Sequence, residues 1–295
     1  LAKAILERGG ETAQMKPKIS VVIPAYNSER FLEETLKHIM NQTFLEPYEV
    51  IVVDDCSTDK TREIAEKYST RIIVHERNEG IGSSRRDGVL SSEGDYIAFC
   101  SSDDLWSLFF LEESYKHLNE NTATFTDYYY INDSPFPVGQ FKAPRYKSQE
   151  EFRKLVIEWA LKKNMFVNFS SVVIPKQIFE KVNFEPSLRH GEDLIFLLDT
   201  VIHGLRWHHI QYPYIYYRIH SEMGTEIIKE NKQEFLMLWS YIKDRLAKLG
   251  VDQETIESAF KKSHSHHFGL VGRLWRRTPK VIRKPIKKML RVGRK

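Results

Sequence analysis

Four short apolar or β-branched runs, Lys18 to Ile23, Tyr48 to Val53, Arg71 to Val74 and Asp95 to Cys100, alternate with stretches of helical periodicity in the first hundred residues. This alternation constrains the fold more than any other feature. A strand that is apolar on both faces must be covered on both. A helix between consecutive strands then forces parallel pairing with right-handed crossovers. The helical stretches are read from Phe31, Leu32, Leu36, Ile39 and Met40, from Ile64, Ala65 and Tyr68, and from Gly80-Ile81-Gly82 through Leu90. Asn27 and Ser28 are suitable caps for the first, Ser57 or Thr58 for the second. The expectation is an α/β fold with a Rossmann-like, mostly parallel central sheet flanked by helices.

In such sheets ligands gather beyond the carboxyl ends of the strands, where Asn27, Asp54, Asp55, Asp103 and Asp104 all fall. Asp54 to Asp59 reads either as a polar turn capping the next helix or as a nucleoside site. In the second case one carboxylate accepts from a base N–H and a neighbour holds a ribose hydroxyl. Ser101-Ser102-Asp103-Asp104 precedes Leu105-Trp106. Adjacent carboxylates repel unless a cation joins them, and Mg²⁺ and Mn²⁺ take one or two carboxylates plus phosphate oxygens. The plainer reading is a helix first turn, where Asp suits the dipole.

The second half is less regular. A Pro-rich loop (Ser134 to Pro144) leads to a helix near Gln149 to Lys163 and a strand from Ser170 to Ile174. A helix then follows Gly191-Glu192-Asp193, and a tyrosine-rich strand runs from Tyr212 to Ile219. Helices at about 226–248 and 252–265 complete the body. Glu192 and Asp193 are either an acidic first turn or, in Asp193, a general base for an attacking hydroxyl. Strand alternation places Arg218 and His220 on one face and Tyr217 on the other.

The net charge of +4 hides an asymmetry: residues 271–295 carry 11 Lys/Arg and no Asp/Glu, leaving 33 basic residues against 40 acidic in the rest. The body is acidic, which argues against a nucleic-acid-binding fold. Cys56 and Cys100 make no disulfide framework, so a reducing compartment is expected. No run is long and apolar enough to span a membrane. His264, His266 and His267 sit among Ser and Lys and read as a solvated patch.

Pro24-Ala25-Tyr26-Asn27, Val53 to Asp59, Asn78-x-Gly80, Arg85, Gly94 to Ile97, Asp103-Asp104-x-Trp106, Gly191-Glu192-Asp193 and Tyr217-Arg218-x-His220 occur in that order. Together they resemble the family 2 glycosyltransferases with the GT-A fold, over about residues 18 to 221. The resemblance implies an inverting, non-processive transferase of bacterial surface-polysaccharide type. Asp54 and Asp55 would hold base and ribose of a nucleotide-sugar, with a UDP-sugar favoured. Pro24, Tyr26, Asn27, Arg85, Ser102 and Asp103 would line the donor pocket. Asp103 and His220 would hold Mn²⁺ or Mg²⁺, and Asp193 would be the base. Ser101, Asp104, Trp106, Glu192 and Arg218 would support them.

Two positions depart from the family pattern. Ser101 stands where a carboxylate usually precedes the metal-binding Asp, and Arg86 where an Asn is usual. His203 replaces the Gln of the processive Gln-x-x-Arg-Trp motif, which, with no membrane-spanning run, argues against a processive synthase. The alternatives are a catalytically inactive nucleotide- or glycan-binding module and a polyprenyl-phosphate sugar synthase.

The organisation expected is an extension at 1–17, a catalytic domain at 18–225 (nucleotide-sugar half 18–130, acceptor half 131–225), C-terminal helices at 226–269 and a basic tail at 270–295. In the tail Leu274, Trp275, Val281, Ile282, Ile286, Met289 and Leu290 recur at helical spacing among basic residues. That pattern suits an interfacial helix on an anionic membrane. A cytoplasmic protein, peripheral on the inner face of the plasma membrane, with a glycan or lipid-linked glycan acceptor and no nucleic-acid partner, is the resulting expectation.

Overall fold

The computed structural model describes residues 16–68, 71–220 and 232–268. The expected N-terminal extension (all but 16–17), the start of the 226–248 helix and the basic tail lie outside the described residues. Strands β1 (Ile19–Ala25), β2 (Tyr48–Asp54), β3 (Arg71–Val74) and β4 (Tyr96–Phe99) pair in parallel in the order β3-β2-β1-β4. Helices α1 (Leu32–Met40), α2 (Thr61–Lys67) and α3 (Ile81–Ser91) make the crossovers.

β1 and β4 are buried along almost their whole length and β2 from Val50 onward, as their apolar runs require, whereas the edge strand β3 stays partly exposed. In β1, Val22 packs with Val89 of α3 and Ile51 of β2, while Val21 and Ile23 pack with Leu32, Leu36 and Ile39 of α1. Each fully buried side chain of this kind contributes roughly 1.5–3 kcal/mol. Two glycines allow the close approach: a Cβ on Gly88 of α3 would lie 2.3 Å from Val22 Cγ1, and one on Gly94 would lie 2.6 Å from the Ser20 backbone nitrogen.

The second half extends the same sheet. β5 (Leu105–Trp106) is followed by α4 (Phe110–Tyr115), β6 (Thr122–Ile131), β7 (Gly139–Phe141), α5 (Gln149–Ala160), β8 (Val172–Pro175), α6 (Glu192–Ile202) and β9 (Arg206–Arg218). The order continues β4-β8-β6-β9-β5, with β7 on the edge of β6. β8 is antiparallel to both β4 and β6, and β9 is parallel to β6. All four parallel strands of the first half are thus joined to a mixed second half. Helices α7 (Lys232–Lys248) and α8 (Gln253–Phe268) follow, with Phe235, Leu238, Trp239 and Ile256 entering the same core as α5 and α6. Among the described residues no helix is long and apolar enough to cross a membrane.

Five elements differ from the sequence reading: β5 and α4, which it does not contain (its alternative at Asp103-Asp104 is a helix first turn), and β6, β7 and β9. β6 was not expected, because buried Thr124, Thr126 and Asp127 break its apolar pattern. β7 lies within the expected Pro-rich loop and pairs through Gly139 to Phe141. β9 starts at Arg206 rather than Tyr212, since pairing with β6 carries the strand through His208 and His209 and across a bulge at Thr126 to Tyr128.

Because the Gly94 contact is to backbone, which cannot rotate away, Gly94→Ala should cost about 1–3 kcal/mol. Leu90→Ala, at an exposed site, should stay within about 0.5 kcal/mol. Urea denaturation of the two variants checks the contrast.

Candidate active site

The loops after β1 and β2 are tied into one surface. Asn27 (φ 48) and Cys56 (φ 66) adopt left-handed conformations. Asn27 N donates to Ser57 Oγ and Asn27 Oδ1 accepts from Thr58 N, both at 2.9 Å. Asp54 and Asp55 are buried. Asp54 Oδ1 accepts from Ser57 N at 3.0 Å, so this carboxylate shapes its own turn. Asp55 Oδ1 accepts from Glu79 N at 2.7 Å and lies 2.8 Å from His75 Nδ1, while Oδ2 accepts from Gly80 N at 2.8 Å. A carboxylate has about four lone-pair directions, so Asp55 has about one left for a ligand. Tyr26 is half exposed beside this loop, whereas Pro24 is buried within β1.

The loop after β4 carries the acidic pair. Asp104 is fully buried; its Oδ1 accepts from the Arg218 backbone N at 2.9 Å, and Oδ2 makes no hydrogen bond of normal geometry. Burial first, and the neighbouring Asp103 second, push the Asp104 carboxyl well above the usual range. Ser170 and Arg218 only partly offset this. Asp103 is more open, and its Oδ2 lies 2.9 Å from His220 Nε2. Ser101 N donates to Ser170 Oγ at 2.9 Å, and Ser102 Oγ is 2.7 Å from Ser28 Oγ. Trp106 is fully buried with its Nε1 on the Ser170 carbonyl at 2.8 Å, which makes it a support for this loop.

Arg218 holds these pieces in place. Its guanidinium is fully buried, with Nε donating to the Asp103 carbonyl at 2.8 Å and Nη1 to the Asn132 carbonyl at 2.9 Å. Nη2 donates to Glu34 Oε2 of α1 at 2.6 Å, and the group lies over the Phe31 ring at 4.5 Å. The Phe31 ring also packs on His220 at 4.8 Å between centroids.

A second group forms at the start of α6. Gly191 (φ 74) turns the chain into the helix, and Glu192 and Asp193 occupy its first turn. Arg85, placed by the resemblance in the donor pocket, is buried beneath it: Nη1 reaches Glu192 Oε1 at 2.6 Å, and the guanidinium sits among Phe99, Phe169 and Phe184. The pairing follows from burial, since neither charge could stand alone in an aromatic box. Asp193 stays half-buried beside it, its Oδ1 accepting from Leu194 N at 2.7 Å.

His75, Glu34, Phe31 and Ser170 contribute to the site without having been singled out in the sequence. Only His75 carried a signal, because it follows β3 at the carboxyl edge of the sheet.

A four-stranded parallel sheet continued by a mixed second half, with acidic residues in the loops after β2 and β4, is the GT-A fold. The model of the family described as "Glycosyl transferase family 2" matches residues 20–182. The chain belongs to that family. It is similar to the putative teichuronic acid biosynthesis glycosyltransferase TuaG of Bacillus subtilis, with 29% identity over 64% of this chain and 74% of that protein. The crystal structure of S. aureus TarS 1–349 in complex with UDP-GlcNAc shares the fold, with TM-score 0.66 and 20% identity over 89% of this chain and 76% of that one. The mannosyltransferase PcManGT of Pyrobaculum calidifontis, in complex with GDP-Man and Mn²⁺, shares it with TM-score 0.51 and 16% identity, over 91% and 76% of the two chains.

The Glu192 carboxyl is raised to about 7, by burial and then by Asp193, with Arg85 offsetting part of the effect. A carboxyl whose folded value is raised contributes stability that is complete below its unfolded value and is lost as pH rises through the folded one. Wild type should therefore lose stability relative to Glu192→Gln between about pH 4.5 and 7. Urea melts at several pH values measure this, and parallel pH curves would refute it.

Proposed function

We propose that the chain is an inverting glycosyltransferase that moves a sugar from a nucleotide-sugar, favouring a UDP-sugar, to a hydroxyl of a glycan. The observation that carries this reading is the 2.9 Å approach of His220 Nε2 to Asp103 Oδ2 beyond the end of β4. An imidazole and a carboxylate together beyond the carboxyl end of β4 support a diphosphate site there, since such sheets bind ligands at that edge. The neighbour that binds UDP-GlcNAc and the relative named for teichuronic acid biosynthesis support a UDP-sugar and a surface-polysaccharide acceptor.

Among the described residues no group of three or more His, Cys, Asp or Glu is placed to hold a metal ion. Asp103 and His220 are two. Mg²⁺ bound through substrate phosphates takes only one or two carboxylates from the protein, and Mn²⁺ shares its preference for carboxylate, carbonyl and water oxygens, so Asp103 would be the principal protein ligand with His220 beside it. The pair therefore fits a divalent ion whose remaining positions come from the diphosphate and water. Such an ion, when bound, neutralises charge on the departing diphosphate. Ser101 supplies a hydroxyl in place of a further carboxylate.

Asp193 takes the proton of the acceptor hydroxyl as that oxygen attacks the anomeric carbon. The bond to the diphosphate oxygen breaks on the opposite face, through an oxocarbenium-like state. A single displacement inverts the centre. Asp55 and the Asn27 loop orient the nucleoside, and the Arg85–Glu192 pair fixes the turn that presents Asp193. The tail, residues 270–295, brings the enzyme to an anionic membrane and so to a lipid-linked acceptor.

Asp193→Asn should lower sugar transfer by about 10²–10⁴-fold while UDP affinity, measured by calorimetry, stays unchanged. Asp103→Ala should instead remove the Mn²⁺ dependence of UDP binding. Near-normal turnover of Asp193→Asn would refute the base assignment, and metal-dependent sugar release separates an enzyme from an inactive binding module. A chain truncated after Gly269 should lose flotation with phosphatidylglycerol liposomes; undiminished flotation would remove the tail from the membrane role.

A further inference from the structure

Beside the acidic pair, three neighbouring strands present an aromatic surface that the proposed chemistry does not use. Tyr128 and Tyr130 of β6 stand opposite Phe141 and Gly139 of β7, and Tyr130 stands opposite Tyr217 of β9. Directly opposed residues share one face of a sheet. The rings form one cluster. Tyr128 stacks on Phe141 at 4.8 Å and 15°, meets Tyr130 edge-on at 5.3 Å, and lies 5.7 Å from Tyr217. Tyr130 and Tyr217 meet edge-on at 6.1 Å. All four rings are half-buried, so the cluster is neither core nor free surface.

Gly139 is the telling position. A Cβ there would meet Tyr130 Cδ2 at 3.5 Å, an ordinary contact, and nothing in its backbone calls for glycine. With no side chain, Gly139 leaves its side of the Tyr130 ring without cover from β7. The surface is also continuous with the site. Tyr217 directly precedes Arg218, whose Nε holds the Asp103 carbonyl. β4 and β8 separate the wall from β1, whose loop carries the nucleotide-side residues. It therefore lies on the acceptor side of the acidic pair.

We propose that Tyr128, Tyr130, Tyr217 and Phe141 form a stacking wall for a pyranose ring of the acceptor glycan. A pyranose has an apolar C–H face and a hydroxyl rim. Aromatic rings offer an apolar face with a negative quadrupole, and tyrosines add a hydroxyl at the tip. Mostly aromatic linings with a few polar groups are how small-molecule sites obtain both area and orientation.

The inference rests on the glycosyltransferase reading, and its test separates the two. Full-length protein with saturating UDP is exposed to a panel of methyl pyranosides of the common hexoses and N-acetylhexosamines, with sorbitol as an acyclic control. Saturation-transfer NMR reads contact with ring protons, and calorimetry reads UDP affinity independently. Ring protons of at least one glycoside should be saturated, and those of sorbitol should not. Gly139→Leu, which covers the Tyr130 flank, and Tyr130→Ala should each weaken glycoside binding tenfold or more. Tyr130→Phe should retain most of it, and UDP affinity should stay constant throughout. The proposal is overturned if Gly139→Leu binds glycosides as wild type does, if sorbitol is saturated equally, or if UDP binds and no glycoside does. Failure of UDP binding itself would count against the transferase reading, while the glycoside arms would still decide the wall.

Discussion

A buried guanidinium cannot shed its charge, and burying it unpaired costs several kcal/mol. Arg218 meets that demand only where the loop after β4, the end of β6 and the first turn of α1 converge on the end of β9. The convergence is what holds Asp103. The Asp103 backbone is fixed through its carbonyl, so its carboxylate is left to face His220 rather than to satisfy the protein. Asp104 has the opposite fate. It faces inward onto the Arg218 backbone, and burial holds it toward the neutral form. Two adjacent carboxylates that would repel are separated into one open and one enclosed.

Helix α3 links the other two groups. Its approach from Gly80 is clamped by Asp55, and its second turn carries Arg85 to Glu192. Gly82 between them backs onto Glu192, with 3.5 Å from a Cβ position to Glu192 Cγ. A rearrangement of the Asp55 loop would therefore be felt at the turn that carries Asp193. Asp55, with three partners already, acts as much on this loop as on a ligand.

The parallel half was legible because its strands are largely apolar runs and its first helix shows a clean 3.6-residue period at Leu32, Leu36 and Ile39. The acidic positions were legible because strand ends are where such sheets collect ligands. β6 was not, since Thr124, Thr126 and Asp127 are buried by pairing and by His209 rather than by their own hydrophobicity. The burial of Arg85 was not legible for a similar reason. A basic residue on a helix reads as solvent-facing or ligand-facing, and its partner Glu192 lies more than a hundred residues away, joined only by tertiary packing. Arg218 was read onto one face with His220, but alternation alone could not reveal that its charge would be enclosed.

The place of β8 bears on how the chain is made. Val172 to Pro175 is inserted between β4 and β6, so the seam between the two halves of the sheet is closed by a strand from late in the sequence. Until Val172 emerges from the ribosome, the β4 edge has no partner, although the β1 to β4 sheet can already close. At roughly 5–20 residues per second this interval, from Phe99 to Val172, lasts on the order of several seconds. An uncovered edge strand is a template for pairing with another chain. The nascent protein is therefore most exposed to misassembly in the middle of its synthesis, and the strand that ends that exposure is one of the shortest in the sheet.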